Sequence, residues 1–270
     1  MVGGREAVPV LDLQGWIGKA GRMFPIRDHN PSGRTPFVTY ALVAANIVVF
    51  AGQWLALPDD NALGWFFVHW GLVPRDVMQG QQWHGVLTSM FLHAGWLHLA
   101  GNMLFLWVFG DNLEDEMGHL PYLGFYLAGG ALAAAGQVIA DPWSPVPMVG
   151  ASGAIAAVLG GYLLLYPRAR VDVVFIFVIF FRIFPIPAWI VLGVWFGLQV
   201  FGGYNTPSEV GGVAYWAHAG GFVGGIVLTL PVWLARGGPA FWSRNFGAPP
   251  HPETVYPESR TRIPAVIRRR

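Results

Sequence analysis

Three short stretches carry side chains able to do chemistry where the surrounding hydropathy offers little reason for them. HLAGN at 98–102 holds His98 and Asn102, GASG at 150–153 holds Ser152, and AHAGGFVGG at 217–225 holds His218. His98 and Asn102 are four apart, so on a helix they share one face. Serine is a weak nucleophile unless a base accepts its proton, and neutral histidine suits that role. Ser152 opens an apolar run. At a helix N-terminus the backbone amides are unpaired and the dipole favours developing negative charge. Such residues are the parts of acyl transfer: Ser152 as nucleophile, His218 as general base, and His98, Asn102 and the Ser152 amide as donors to an oxyanion. Gly150, Ala151 and Gly153 leave room for a substrate backbone. No acidic residue that would orient the histidine is apparent in these runs, so the simplest unit is a Ser–His dyad. Each residue alone has a plain structural alternative. Ser152 suits helix packing, His218 suits a satisfied interior histidine, and His98 with Asn102 suits an interhelical hydrogen-bonding pair.

The elements that must position these residues follow from composition. Of the 270 residues, 54% are hydrophobic and 11% charged, against about 25% charged in a soluble domain. That is too little charge to cover a water-facing surface, and it points to a chain that crosses a membrane several times. There is no cysteine, which excludes a disulfide framework, a thiolate zinc site and a cysteine nucleophile. Apolar runs at 37–57, 95–112, 119–140, 151–167, 186–203 and 215–235 are predicted to be membrane-spanning helices. The expected fold is therefore an all-α membrane protein, a six-helix core over 37–236. A polar cytoplasmic tail at 1–36 precedes it and a disordered basic tail at 237–270 follows. The start lacks the pattern of a removable signal peptide, and 8–24 can lie on the membrane surface. The long connection 58–94 carries Trp65, Phe66, Phe67, Trp70, Trp83 and Phe91, which suits a partly membrane-embedded loop. Residues 168–185 read as an interfacial segment, as the lead-in to the fifth span, or as one more crossing.

Charge sets the orientation. With six spans, fifteen of the sixteen Lys and Arg fall on the side of both termini and Arg75 alone on the other. Both termini are thus expected in the cytoplasm, whereas a seventh crossing puts the C-terminal arginines outside. The predominance of Arg over Lys suggests a GC-rich bacterial genome, hence a bacterial inner membrane. Even-numbered spans then run from outside to inside, so Ser152, His98, Asn102 and His218 share one depth near the outer face. Gly153, Ala157 and Gly161 recur every four residues, as do Ala217, Gly221 and Gly225. Small residues at that spacing let two helices approach closely.

This set of motifs resembles the rhomboid intramembrane serine proteases. His93 joins it, because His93, His98 and Asn102 repeat the family's His-x4-His-x3-Asn, and FGDNLEDEMG at 109–118 is similar to the family's turn after the second span. The resemblance covers about residues 37–236. It implies a six-span bundle, Ser152 as nucleophile and His218 as base, with His98, Asn102 and the Ser152 amide on the oxyanion. It also implies a membrane-embedded loop at 58–94, and Gly221 and Gly225 packing the sixth span on the fourth. The implied partners are the lipid bilayer and single-span membrane proteins, cut in or near the span with small residues favoured at the cut. No cofactor, metal or nucleic acid is expected. There are two departures. Trp83-His84 stands where many members have Trp-Arg. Ala156 stands where some place an aromatic that stacks on the histidine, so something else must hold His218. Water is expected to reach the site through a shallow outer cavity, and the long loop or the fifth span to move aside for the substrate.

Rival readings are weaker. A metal site from His84, His93 and His98 lacks both H-E-x-x-H and a neighbouring carboxylate. Asp111 has no second aspartate for an intramembrane aspartyl protease. A transporter built on internal repeats finds no repeat here. The remaining alternative is a non-catalytic relative that binds membrane proteins without cutting them, and such relatives usually lack the serine or the histidine.

Overall fold

Long uncharged runs in an apolar setting satisfy their backbone groups along the chain, and here each one is a helix. The computed structural model describes residues 23–177, 180–206, 212–250 and 252–255. Six long helices follow one another: α1 (Phe37–Ala56), α5 (Trp96–Met117), α6 (His119–Ala140), α7 (Ser152–Leu165), α8 (Ala188–Asn205) and α9 (Tyr215–Ala235). They match the six expected ranges to within about five residues. Of these, α1, α6 and α9 are each long and apolar enough to cross a membrane. The short stretch 85–91 and α5, bent by 94° between them, qualify together as a fourth. α7 is apolar but shorter, and α8 carries Gln199 and Asn205 among its apolar residues. The 58–94 connection is folded, with α2 (Asp60–Trp70), α3 (Pro74–Met78), α4 (Gly85–Thr88) and a 3₁₀ turn at Ser89–Phe91. It is tied to the segment before α7 by the bridge between Leu72 and Met148.

The core sits around α7, whose residues from Gly153 to Tyr162 are all buried. The small-residue stripes seen in the sequence are what seat α9 on it. The backbone of Gly153 faces Gly221, that of Ala157 faces Gly225, and Gly160 faces the Phe222 carbonyl. At Gly225 a side chain would begin inside the backbone of Ala157. We expect Gly225→Leu to destabilise the protein by several kcal/mol and lower its melting temperature in detergent by about 5 °C or more. A melting curve indistinguishable from wild type would show that the two helices are not in this contact.

The all-α expectation needs one correction. Strands β1 (Met23–Asp28), β2 (Arg170–Phe177) and β3 (Phe180–Pro187) form an antiparallel sheet in the order β1–β2–β3. Residues 168–185 are therefore not one more crossing: 170–177 and 180–185 are paired strands, and the second of them leads directly into α8, as the lead-in reading expects. Their β-branched and aromatic residues favour strands, and Pro185 and Pro187 lie on the edge strand β3, where a missing N–H is tolerated. Val171 and Val173 are buried. Asp172, between them and also buried, accepts from Arg27 Nε at 2.5 Å and lies 2.9 Å from His29 Nε2. Burial alone would raise its carboxyl, but the His29 and Arg27 hydrogen bonds hold it below the usual value.

The tail expected to be disordered from 237 onward is likewise corrected over the residues described. Pro239–Asn245 form α10, with proline in its first turn. Phe241 is buried in the core, and Trp242 Nε1 donates to the Leu164 carbonyl at 3.0 Å. Further on, the Thr254 amide donates to the His29 carbonyl, so the chain returns to the sheet. Residues 256–270, and residues 1–22 with most of the expected surface-lying piece, lie outside the described residues.

One carboxyl at this end predicts a pH effect. Asp28 accepts from the Tyr162 hydroxyl at 2.7 Å. Burial, with repulsion from Asp111 added, pushes its carboxyl from 3.8 up to about 8 despite that bond. The folded state thus holds this proton more tightly than the unfolded chain. The resulting stabilisation is full below the ordinary value and fades as pH rises toward 8. We expect the melting temperature to fall between pH 6 and 8.5 more steeply in wild type than in Asp28→Asn. Parallel slopes would refute this assignment.

Candidate active site

Ser152 is the first residue of α7, reached through Gly150. Gly150 has φ of +130°, a conformation that favours glycine, and its amide donates to the Ser89 carbonyl at 2.9 Å. A side chain on Gly150 would start 2.8 Å from His98 Nε2 and 3.4 Å from Ser152 Oγ. The glycine therefore keeps open a space onto which the His98 ring and the Ser152 hydroxyl both face.

His218 lies in the first turn of α9. Its Nε2 is 2.7 Å from Ser152 Oγ, within reach of a proton transfer. Close seating of α9 on α7 through Gly221 and Gly153 brings the two side chains together. Gln137 of α6 accepts from the Ala217 amide at 3.3 Å and steadies the start of α9.

His98 is the third side chain to arrive. Its Nδ1 accepts from the Ala94 amide at 3.3 Å. An imidazole nitrogen that accepts is unprotonated, so the neutral ring carries its hydrogen on Nε2, the atom facing Gly150 and Ser152. His93 packs edge-on against that ring, centroids 5.0 Å apart. It is fully buried, and its backbone is held on both sides by the Gln53 side chain of α1. The His93 of the sequence motif thus buttresses His98. Asn102 is placed less directly: its Nδ2 donates to the His98 carbonyl one turn back at 2.8 Å. The amide nitrogen has two hydrogens, so one remains for a ligand.

Two residues missed in the sequence surround the histidine. Gln199 Oε1 lies 2.8 Å from His218 Nδ1. The Trp195 ring lies over His218 at 5.7 Å, with the planes inclined by 32°. Both come from α8. The contact absent at Ala156 is made here from another helix. The signal was a lone glutamine in an apolar run four residues after a tryptophan, and a search for a carboxylate passes over it. Among the described residues, no three His, Asp or Glu side chains group closely enough to hold a metal ion.

The chemistry this geometry supports is nucleophilic attack by an activated serine with adjacent donors for a developing anion. A family model, the Rhomboid domain, matches residues 80–235, which contain all four sequence-predicted site residues. The chain is 30% identical over 213 residues to the rhomboid protease GluP of Bacillus subtilis, covering 79% of this chain and 38% of that protein. It is 30% identical over 202 residues to the mitochondrial Rhomboid protein 1 of Saccharomyces cerevisiae, covering 70% and 51%. To the mitochondrial RHOMBOID-like protein 12 of Arabidopsis thaliana it is 29% identical over 202 residues, covering 68% and 55%. The chain therefore spans about half or less of the length of these relatives.

Proposed function

Because this chain belongs to the rhomboid family, we propose that it is an intramembrane serine endopeptidase that cuts single-span membrane proteins in or near their span. The observation that carries this reading is the 2.7 Å approach of Ser152 Oγ to His218 Nε2. Ser152 Oγ attacks the scissile carbonyl while its proton passes to His218 Nε2. The oxyanion is held by the Ser152 amide at the start of α7, by His98 Nε2–H and by the second Asn102 hydrogen. His218 then protonates the leaving amine, which departs and leaves an acyl-enzyme. A water that gives its proton to His218 completes hydrolysis.

In the bilayer we read α1, α5, α6, α7, α8 and α9 as six spans. The short α7 is sheathed by its neighbours, and 58–94 is a partly embedded loop on the outer side. The sheet and α10 lie in the cytoplasm with both termini. That placement puts Arg27, Arg168, Arg170, Arg182 and Arg244 on one side and Arg75 on the other, in accord with the positive-inside tendency. The membrane is the bacterial inner membrane. Ser152, His98 and His218 then lie near the outer face, where water is close.

The test is cleavage of a model single-span substrate by purified protein in detergent, wild type beside Ser152→Ala and His218→Ala. Cleavage that survives Ser152→Ala defeats the serine mechanism. Absence of cleavage by wild type across several substrates, with binding retained, would turn the reading to a relative that binds membrane proteins without cutting them.

A further inference from the structure

We propose that Gln199 is a positioning residue for the base: its side-chain oxygen accepts from His218 Nδ1–H and holds the ring in the tautomer that leaves Nε2 free for the Ser152 proton. The inference rests on the serine-protease reading above. It turns a two-residue unit into a three-residue one whose third member carries no charge.

The geometry makes the role specific. A neutral imidazole has one N–H and one acceptor nitrogen. If the hydrogen sat on Nε2, the ring could not take a proton from Ser152. An amide oxygen only accepts, so Oε1 at 2.8 Å from Nδ1 selects the productive form. The orientation of the amide is itself fixed. Gln199 Nε2 donates to the Trp195 carbonyl at 3.2 Å, which turns Oε1 toward His218 and disfavours the flipped amide. Gln199 is buried, so few competing partners reach it.

The choice of an amide over a carboxylate also has a physical reason. A buried carboxylate within an apolar helix carries a large desolvation cost unless fully paired. The amide gives direction at lower cost. During acylation the Ser152 proton moves to Nε2 while the Nδ1 proton stays in place. Gln199 gains and loses nothing, and its oxygen faces an imidazolium N–H that donates more strongly. Trp195, one turn before it on α8, covers the ring face and limits rotation. Besides Gln199 and Trp195 of α8, Ser152 on α7 and the titratable His98 on α5 lie near His218.

The test compares kcat, KM and pH profiles of the full chain in detergent for Gln199→Met and Gln199→Glu, beside wild type and Ser152→Ala. Methionine keeps the volume and removes the acceptor. We expect kcat to fall about 10- to 100-fold with KM little changed. Glutamate keeps the acceptor and adds charge, so the acid limb of kcat/KM is expected to move up by about one pH unit or more. A group that only packs would leave kcat of the isosteric methionine variant near wild type, whereas the glutamate shift shows that the side chain faces the imidazole. Full activity in Gln199→Met, or an unmoved acid limb in a folded Gln199→Glu, overturns the proposal. If the glutamate variant does not fold, the kcat and KM of the methionine variant decide. The two readings fail separately. An active Ser152→Ala removes the serine mechanism, whereas an inactive Ser152→Ala with unaffected Gln199 variants removes only the positioning role.

Discussion

Ser152→Ala and His218→Ala are each expected to lower the cleavage rate by at least about 10⁴-fold, and the double variant to be no worse than either alone. The non-additivity is the sharper part. A serine hydroxyl without a base stays protonated and a base without a hydroxyl has nothing to activate, so either loss removes the same event. With Nε2 and Oγ 2.7 Å apart, the proposed mechanism makes the two groups one reacting unit. Ser152→Ala deletes a single oxygen at a helix start, and His218→Ala leaves the glycine contacts that seat α9 on α7, Gly221 on Gly153 and Gly225 on Ala157, in place. Both variants should therefore fold. The measurement is single-turnover cleavage of a labelled substrate, with melting curves as the control. If losses in the two single variants multiplied in the double, the residues would be acting independently.

The second large effect is expected at His98. Replacing it with alanine should lower kcat about 10²- to 10³-fold with a smaller change in KM, because a donor aimed at the oxyanion acts mainly in the transition state. The bond from the Ala94 amide fixes the ring so that Nε2–H looks toward the opening above Gly150. Asn102→Ala should cost less, since one of its hydrogens is already committed to the His98 carbonyl. A larger loss at Asn102 than at His98 would reverse their order of importance. Since His93 and Gln53 brace this ring, substitutions there should reproduce a weaker form of the His98 defect.

Much of this was legible in the sequence because lipid-like surroundings make polar residues conspicuous. Ser152, His218, His98 and Asn102 stand out against apolar neighbours, and the long helices follow from uncharged runs. Gln199 is inconspicuous in the sequence because it has no charge and an orienting residue for a histidine is ordinarily an acid. Its partner is fixed only when α8 lies beside α9. The sheet was hidden for a different reason. Residues 170–187 are apolar enough to suit several states, and their pairing with 23–28 joins segments about 150 residues apart in sequence. The helix at 239–245 was masked by the Pro- and Arg-rich composition of the tail, although Phe241 and Trp242 anchor it.

The junction between β3 and α8 has a mechanical consequence. Pro187 ends the strand and caps the helix, so no slack separates them. The sheet in turn is fastened by β1 and by residue 254. Only Ala188, Leu192 and Gln199 of α8 are buried, while Trp189, Val194, Leu198, Phe201 and Tyr204 face outward. The helix is clamped at its start by the sheet, and its last turn rests on the first turn of α9, where Gly202 and Gly203 lie against Tyr215 and Trp216 and the Tyr204 ring meets Trp216 edge-on at 5.0 Å. Any outward displacement of α8 would draw Gln199 and Trp195 away from His218, which both of them touch. The brace on the imidazole is therefore only as firm as the seat of α8 on α9.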